Sequence, residues 1–271
     1  MTESLELLRG MDAAAREISL EAGAILMNGF RSESTTIGYK SRTDMVTSMD
    51  GESERFICSE IWKRFPGHDI VAEEGSGRDR DGEYLWYVDP LDATNNFAHG
   101  IPFFCVSIAV MSKSSGRIVC GAVYDPCHDE LFSACRGSGA LLNGKAIHVS
   151  DTADHGRALF STGFPYDKEN MEHNNLEQLA RILPQIQCVR RLGSAALDLC
   201  YTACGRIDGY WEPMLKPWDT AAGSLILTEA GGTVTRYDGS PFDPEYPEIA
   251  ATNGRLHGYL VERLTESRDR K

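Results

Sequence analysis

The 271-residue chain has eight cysteines (Cys58, Cys105, Cys120, Cys127, Cys135, Cys188, Cys200 and Cys204), yet no Cys-x-x-Cys pair and no Cys-x5-Arg nucleophile pattern. Without ligand spacing, neither a structural zinc nor a disulfide framework is expected. Apolar neighbours, as in Phe104-Cys105-Val106, suit small buried thiols in a reducing compartment. No apolar run approaches the roughly 20 residues that span a bilayer. The N-terminus is amphipathic and acidic rather than basic and then apolar, so no signal peptide is read and a cytoplasmic protein without a membrane partner is expected. Positive charge is scarce: 27 Lys and Arg stand against 40 Asp and Glu, a formal net charge of −13. That balance excludes a basic face for direct nucleic-acid binding. An anionic substrate would instead need local cations, of which bound metal ions are the obvious source. Pro- or Ser-rich linkers, internal repeats and low-complexity segments are also missing.

What is present is a core-forming composition, 42% hydrophobic, in a length that suits two ordinary domains or one large α/β unit. Leu5, Leu8, Met11, Ala15, Ile18, Ala22 and Ile25 form the stripe of a long first helix that ends near Asn28-Gly29. A second helix is predicted from about Gly51 to Phe65, stopped by Pro66-Gly67. Short apolar runs at 69–72 and 84–88 read as strands. Phe103–Met111 and Ile118–Tyr124 read as an antiparallel hairpin turning at Ser114-Ser115-Gly116, and Leu131–Ala134 extends the meander. Residues 1–150 thus build an α+β half with an antiparallel sheet. Residues 151–271 alternate differently: strands at 158–161, 189–191, 208–211 and 249–251, with helices at 174–183 and 194–204, from Asp219 to Gly231-Gly232, and from about Arg255. This alternation implies a second layered α/β region with a smaller sheet, packed closely on the first.

The most informative segment is Trp86-Tyr87-Val88-Asp89-Pro90-Leu91-Asp92-Ala93-Thr94-Asn95-Asn96-Phe97. An apolar strand delivers two carboxylates around a proline, which is expected to end the strand. Thr94 and the amides of Ala93 and Thr94 follow, and a helix starting here would turn those amides toward an anion. Carboxylates, a hydroxyl and exposed amides are the ingredients of a Mg²⁺–phosphate site. Turn formation and helix capping account equally for such residues in isolation. Three further acidic sites add weight: Glu73-Glu74 after a short strand, Asp44 at the mouth of another, and Asp219 in Trp218-Asp219-Thr220-Ala221-Ala222-Gly223 at a helix start.

Taken in order, Asp44–Thr47, Glu73-Glu74, Asp89–Phe97 and Trp218–Gly223 resemble the signature of the inositol monophosphatase family, whose two motifs read roughly W-x-[VI]-D-P-[IL]-D-G-T-x-N-F and W-D-x-A-A-G. The similarity runs over nearly the whole chain and includes Gly193-Ser194-Ala195-Ala196, Asp208 and Glu212 at family-like spacings. The resemblance implies an αβαβα sandwich and a Mg²⁺-dependent phosphatase acting on a small phosphorylated polyol, inositol 1-phosphate first among them. It further implies that Glu73, Asp89 and the Leu91 carbonyl hold one Mg²⁺, that Asp89, Asp92 and Asp219 hold a second, and that Glu73 serves a looser third through water. Water would be activated by Glu73 or by an Asp44–Thr94 pair. Asp92, Ala93, Thr94, Gly193, Ser194, Ala195, Glu212 and Asp219 match substrate-binding positions; a carboxylate such as Glu212 can accept two hydrogen bonds from a vicinal diol. A homodimer and sensitivity to Li⁺ are implied in the same way.

One departure is Ala93, where the family has glycine. A left-handed backbone there would cost alanine roughly 1 kcal/mol or more, whereas the first turn of a helix would accommodate it. Gly139–Lys145 matches most of a P-loop but lacks the following hydroxyl and carries Asn143-Gly144, so a hairpin turn is expected. The seven histidines, at 68, 99, 128, 148, 155, 173 and 257, show no ligand spacing. Arg190-Arg191 is too small a patch for nucleic acid and suits a carboxylate anchor or a subunit contact. Fructose 1,6-bisphosphate, histidinol phosphate and NADP are alternative substrates within the same chemistry. A reading from another class is a regulatory protein that binds partners in a transcription complex.

Overall fold

A computed structural model describes residues 5–167, 169, 171 and 174–266; His173 lies outside the described residues. The first helix, α1 (Leu5–Gly29), carries the expected stripe: Met11, Ala15, Ile18 and Ala22 are buried, joined by Ala14 and Leu26, while Ile25 is only partly covered. Fully burying a side chain such as Ile18 contributes about 1.5–3 kcal/mol. A short antiparallel ribbon follows, β1 (Ile37–Tyr39) with β2 (Met45–Thr47). Helix α2 (Ser48–Arg64) starts at Ser48 rather than Gly51. Its extra turn is stabilised by a capping box, in which the Met49 N–H donates to Thr47 Oγ1 at 3.2 Å and the Thr47 N–H to Asp50 Oδ2 at 2.8 Å.

The large sheet contains β3 (Asp69–Ala72), β4 (Tyr84–Asp92), β5 (Cys105–Ser112), β6 (Arg117–Asp125), β7 (Glu130–Cys135), β8 (Ala140–Leu142) and β9 (Lys145–Ala146), in that spatial order. It is antiparallel except at one edge, where β3 runs parallel to β4. Helix α3 (Thr94–Ala98) sits between β4 and β5. The Asn143-Gly144 turn joins β8 to β9 with positive φ at both residues (48° and 76°), the geometry of a two-residue hairpin loop, so the near P-loop is a hairpin.

The rest of the chain contributes β10 (Leu159–Thr162), α4 (Leu176–Ile182), β11 (Cys188–Arg190), α5 (Ala195–Ala203), β12 (Gly209–Pro213), α6 (Pro217–Glu229), β13 (Thr233–Thr235), β14 (Glu248–Thr252) and α7 (His257–Thr265). Its five strands form a mixed sheet in the order β11-β10-β12-β14-β13. Strand β13 has no counterpart in the sequence reading; its short Thr-Val-Thr run is half-buried and too brief to show a period.

Helices α1 and α2 cover one face of the large sheet, and α5 and α6 are sandwiched between its other face and the small sheet. Helices α4 and α7 close the far side. The result is an αβαβα sandwich. The middle core draws Cys105, Val123 and Phe132 from the large sheet together with Leu199 and Ile226 from α5 and α6, so the two halves share one apolar interior. Close packing there depends on Gly121, whose absent side chain would meet the Ala222 backbone at 3.0 Å.

Candidate active site

Pro90 does not end β4, as expected from its missing N–H; the strand continues to Asp92 through an irregularity. Asp89 pairs with Ser107 and Asp92 with Cys105, so three steps along β4 oppose two along β5. One extra residue in a strand is a β-bulge, a setting that tolerates proline. It also has a chemical consequence. In a regular strand, residues three apart point to opposite faces; the bulge restores them to one face, and both carboxylates line a single cavity of about 440 Å³.

Glu73 follows β3, the parallel neighbour of β4, and enters the same cavity. Asp219 arrives from the first turn of α6, where its Oδ2 accepts the Lys216 N–H at 2.7 Å. Burial raises the proton affinity of all four acids, and for Asp89 and Asp219 the neighbouring carboxylates add to it. Asp89 is pushed well above the usual carboxylate range, chiefly by burial and then by the charges of Glu73, Asp92 and Asp219. Asp219 is raised by burial and Asp92. Burial lifts Glu73 to about 7, although Lys40 Nζ donates to its Oε1 at 2.8 Å and also pairs with Glu74. Asp92 is raised least unambiguously: burial acts upward, while its Oδ2 accepts the Ser194 hydroxyl at 2.5 Å and the Ala196 N–H at 2.9 Å.

The Asp44–Thr94 pair does not form. The Thr94 hydroxyl lies 3.0 Å from Asp50 Oδ1 and 3.1 Å from the Leu91 carbonyl, while Asp44 sits at the cavity edge beside Lys40. The reason is the capping box: Asp50, fixed at the start of α2 by Thr47, is wholly buried and aimed at the end of β4. Asp50 was missed from sequence, although Thr47-x-x-Asp50 has the spacing of that cap. Ala93 adopts φ 75° and ψ 46°, so of the two backbone readings the left-handed one holds. Helix α3, which follows it, has only five residues and supplies little macrodipole.

Across the cavity lie Gly193, Ala195 and Glu212; Ser194 caps α5 behind them through its bond to the Leu197 N–H. Gly193 has φ 100°, and a side chain there would meet Arg191 and Asn96. Glu212 is held from below by Tyr210, which is fully buried and donates to Oε2 at 2.6 Å. Burial still lifts Glu212 to about 7. A Cβ on Gly163 would come within 1.9 Å of the Glu212 carboxylate, so the glycine that follows β10 leaves the space this side chain occupies. Tyr210, Gly163 and the cavity-lining Arg191 and Lys40 were not among the expected site residues. Only tertiary packing brings them in.

A family model described as the inositol monophosphatase family matches residues 7–269. The chain belongs to that family. An inositol-1-monophosphatase of Synechocystis sp. is 45% identical over 222 residues, covering 82% of this chain and 77% of the relative. A Nus factor SuhB of Vibrio cholerae is 40% identical over 257 residues, 94% of each chain. Among solved structures, an inositol monophosphatase of Anabaena (Nostoc) sp. superposes with a TM-score of 0.86 at 42% identity, over 95% of this chain and 96% of that one.

As an inositol monophosphatase family enzyme, the chain has a donor set that suits a hard divalent cation: oxygen only, from Glu73, Asp89, Asp92, Asp219 and the Leu91 carbonyl. Among the described residues no three His, Cys, Asp or Glu side chains form a finished metal cluster. Lys40 holds Glu73 and Ser194 holds Asp92, and a self-repelling set of carboxylates contracts only around positive charge.

Proposed function

We propose that the chain hydrolyses the phosphate monoester of a small polyol, with inositol 1-phosphate as substrate, in a reaction that depends on two to three Mg²⁺ ions. The observation that carries this reading is the convergence of Asp89, Asp92, Glu73 and Asp219 on one cavity with proton affinities raised by burial and, for Asp89 and Asp219, by the neighbouring carboxylates. Glu73, Asp89 and the Leu91 carbonyl would hold one Mg²⁺; Asp89, Asp92 and Asp219 would hold a second; Glu73 would serve a third through water. Bound there, the metal supplies positive charge to the phosphate and acidity to a water molecule.

The remaining work falls to the chain itself. Thr94 can accept a proton from an attacking water while its own hydroxyl proton passes to Asp50. Burial raises Asp50 and so makes it a stronger base. Glu212, steadied by Tyr210, reads the polyol hydroxyls, and Gly193 and Ala195 let the substrate approach the backbone. A homodimer, inhibition by Li⁺ and a cytoplasmic location belong to the same reading. Among the described residues no helix is long and apolar enough to cross a membrane.

The test is phosphate release from inositol 1-phosphate, fructose 1,6-bisphosphate, histidinol phosphate and NADP, with Mg²⁺ and with chelator. Mg²⁺-dependent release that is fastest from inositol 1-phosphate supports the reading; metal-independent release, or preference for another ester, overturns it in that part. Relatives named Nus factor SuhB favour a second role, binding to transcription factors. Pull-down with RNA polymerase and its elongation factors tests that role separately.

A further inference from the structure

Away from the cavity, β6 and β7 place Cys120 and Cys135 directly opposite each other in antiparallel register. Their sulfurs are 3.5 Å apart. The pair lies on the face of the large sheet covered by α1, where the Cys120 thiol also reaches the Leu8 carbonyl at 3.5 Å. The next residue, Gly121, belongs to the other face and abuts Ala222 of α6. None of the eight cysteines is in a disulfide.

We propose that Cys120 and Cys135 are a dithiol–disulfide modification site, oxidised by hydrogen peroxide and restored by small thiols. Directly opposed residues of an antiparallel pair have Cβ atoms about 4.5–5.5 Å apart, at the upper edge of the roughly 3.5–4.5 Å that a disulfide spans. Bond formation therefore needs the sulfurs to close from 3.5 Å to about 2.0 Å with no change of register. The two thiols are not equivalent. Cys120 is fully buried, whereas Cys135 is partly exposed, and the hydrogen bond from Cys120 holds the Cys135 thiol below its ordinary range. Accessibility and thiolate character together set which sulfur meets an oxidant first.

The steps balance. The Cys135 thiolate attacks one peroxide oxygen; an S–O bond forms, the O–O bond breaks, and hydroxide leaves and takes up a proton as water. The Cys120 sulfur then attacks the sulfenic sulfur; the S–S bond forms, the S–O bond breaks, and the oxygen departs as a second water with the thiol proton. Overall two thiols and one peroxide give one disulfide and two waters. The bridge tightens the β6–β7 hairpin and constrains the unfolded chain. It also removes the one thiol proton that Cys120 can turn either to Cys135 or to the Leu8 carbonyl. No residue placed in the cavity lies on β6 or β7, so the expected consequence is a more stable protein with its cavity unchanged.

The experiment treats the full-length reduced protein with hydrogen peroxide and maps its peptides by mass spectrometry. The expected product is a Cys120–Cys135 cross-link, lighter by about two hydrogens, reversed by dithiothreitol and accompanied by a rise of a few degrees in the thermal midpoint. In Cys120→Ser, Cys135 should stop at a sulfenic acid that dimedone traps; in Cys135→Ser, neither product should form at this site. Bridges between other cysteines, irreversible oxidation of Cys135 without a cross-link, or equal dimedone labelling of the wild type and Cys120→Ser would each overturn the proposal. No step of this test uses phosphatase activity.

Discussion

The two sides of the cavity are built on opposite electrostatic principles. On the β4 side, Asp89, Asp92, Glu73 and Asp219 crowd like charges into a buried space, and only the Lys40 bridge to Glu73 and hydrogen bonds such as those to Asp92 offset the repulsion. On the β12 side, Glu212 has its own buried phenol donor, the Arg191 charge to offset repulsion from Asp92, and a notch left for it by Gly163. On the proposed reading, a cation completes the first arrangement, and the second meets the hydroxyls of the substrate's polyol. The contrast teaches that catalysis and recognition in this molecule are to be perturbed by different means.

The largest expected effect lies on the charged side. Asp92→Asn or Asp89→Asn should lower kcat roughly a thousandfold or more, since a metal's stabilisation of the transition state is several kcal/mol and each 1.36 kcal/mol is tenfold. Because repulsion is relieved, Asp89→Asn should also raise the melting temperature of the metal-free protein. An unchanged or lower midpoint would contradict the repulsion argument. Asp50→Asn comes next, with kcat down about a hundredfold. Asp44→Asn should change it less than about threefold, as a side chain off the proton path does. The reverse ranking would return the base to Asp44.

On the recognition side, Tyr210→Phe should raise KM for inositol 1-phosphate roughly tenfold, the loss of one hydrogen bond to a charged group. Hydrolysis of 4-nitrophenyl phosphate, which has no polyol, should scarcely change. Equal losses on both esters would make Tyr210 a purely structural residue. Without metal, stability should fall as pH rises from about 4.5 to about 7. Glu73 and Glu212 ordinarily titrate near 4.5 but are lifted to about 7 in the folded protein. Across that window the folded state holds protons that the unfolded state has lost, so raising pH favours unfolding. Thermal melts in chelator check this, and saturating Mg²⁺ should flatten the slope. The smallest effect is Ala93→Gly, which should add about 1 kcal/mol by relieving a left-handed alanine, or about 2–4 °C in the melting temperature.

Much of this was legible in one dimension because the signals are local. The stripe of α1, the hairpin at Gly116, the Asn143-Gly144 turn and the acidic motifs each depend on spacing within a few residues. By itself the sequence determined which oxygen-bearing side chains exist and that acidic groups outnumber basic ones, and its family resemblance implied that helices sandwich two sheets. Tertiary structure decided the rest. Pro90 was expected to stop β4, but pairing with β5 carries the strand through a bulge, and that bulge turns Asp89 and Asp92 to one face. Asp44 was the expected partner for Thr94; the cap of α2 brings in Asp50 instead, since a buried carboxylate is aimed by its hydrogen bonds. Tyr210, Gly163 and Glu212 meet only when β10 and β12 pair. Like the Cys120–Cys135 contact between β6 and β7, that meeting is a matter of register, which the order of residues constrains but only the assembled sheet fixes.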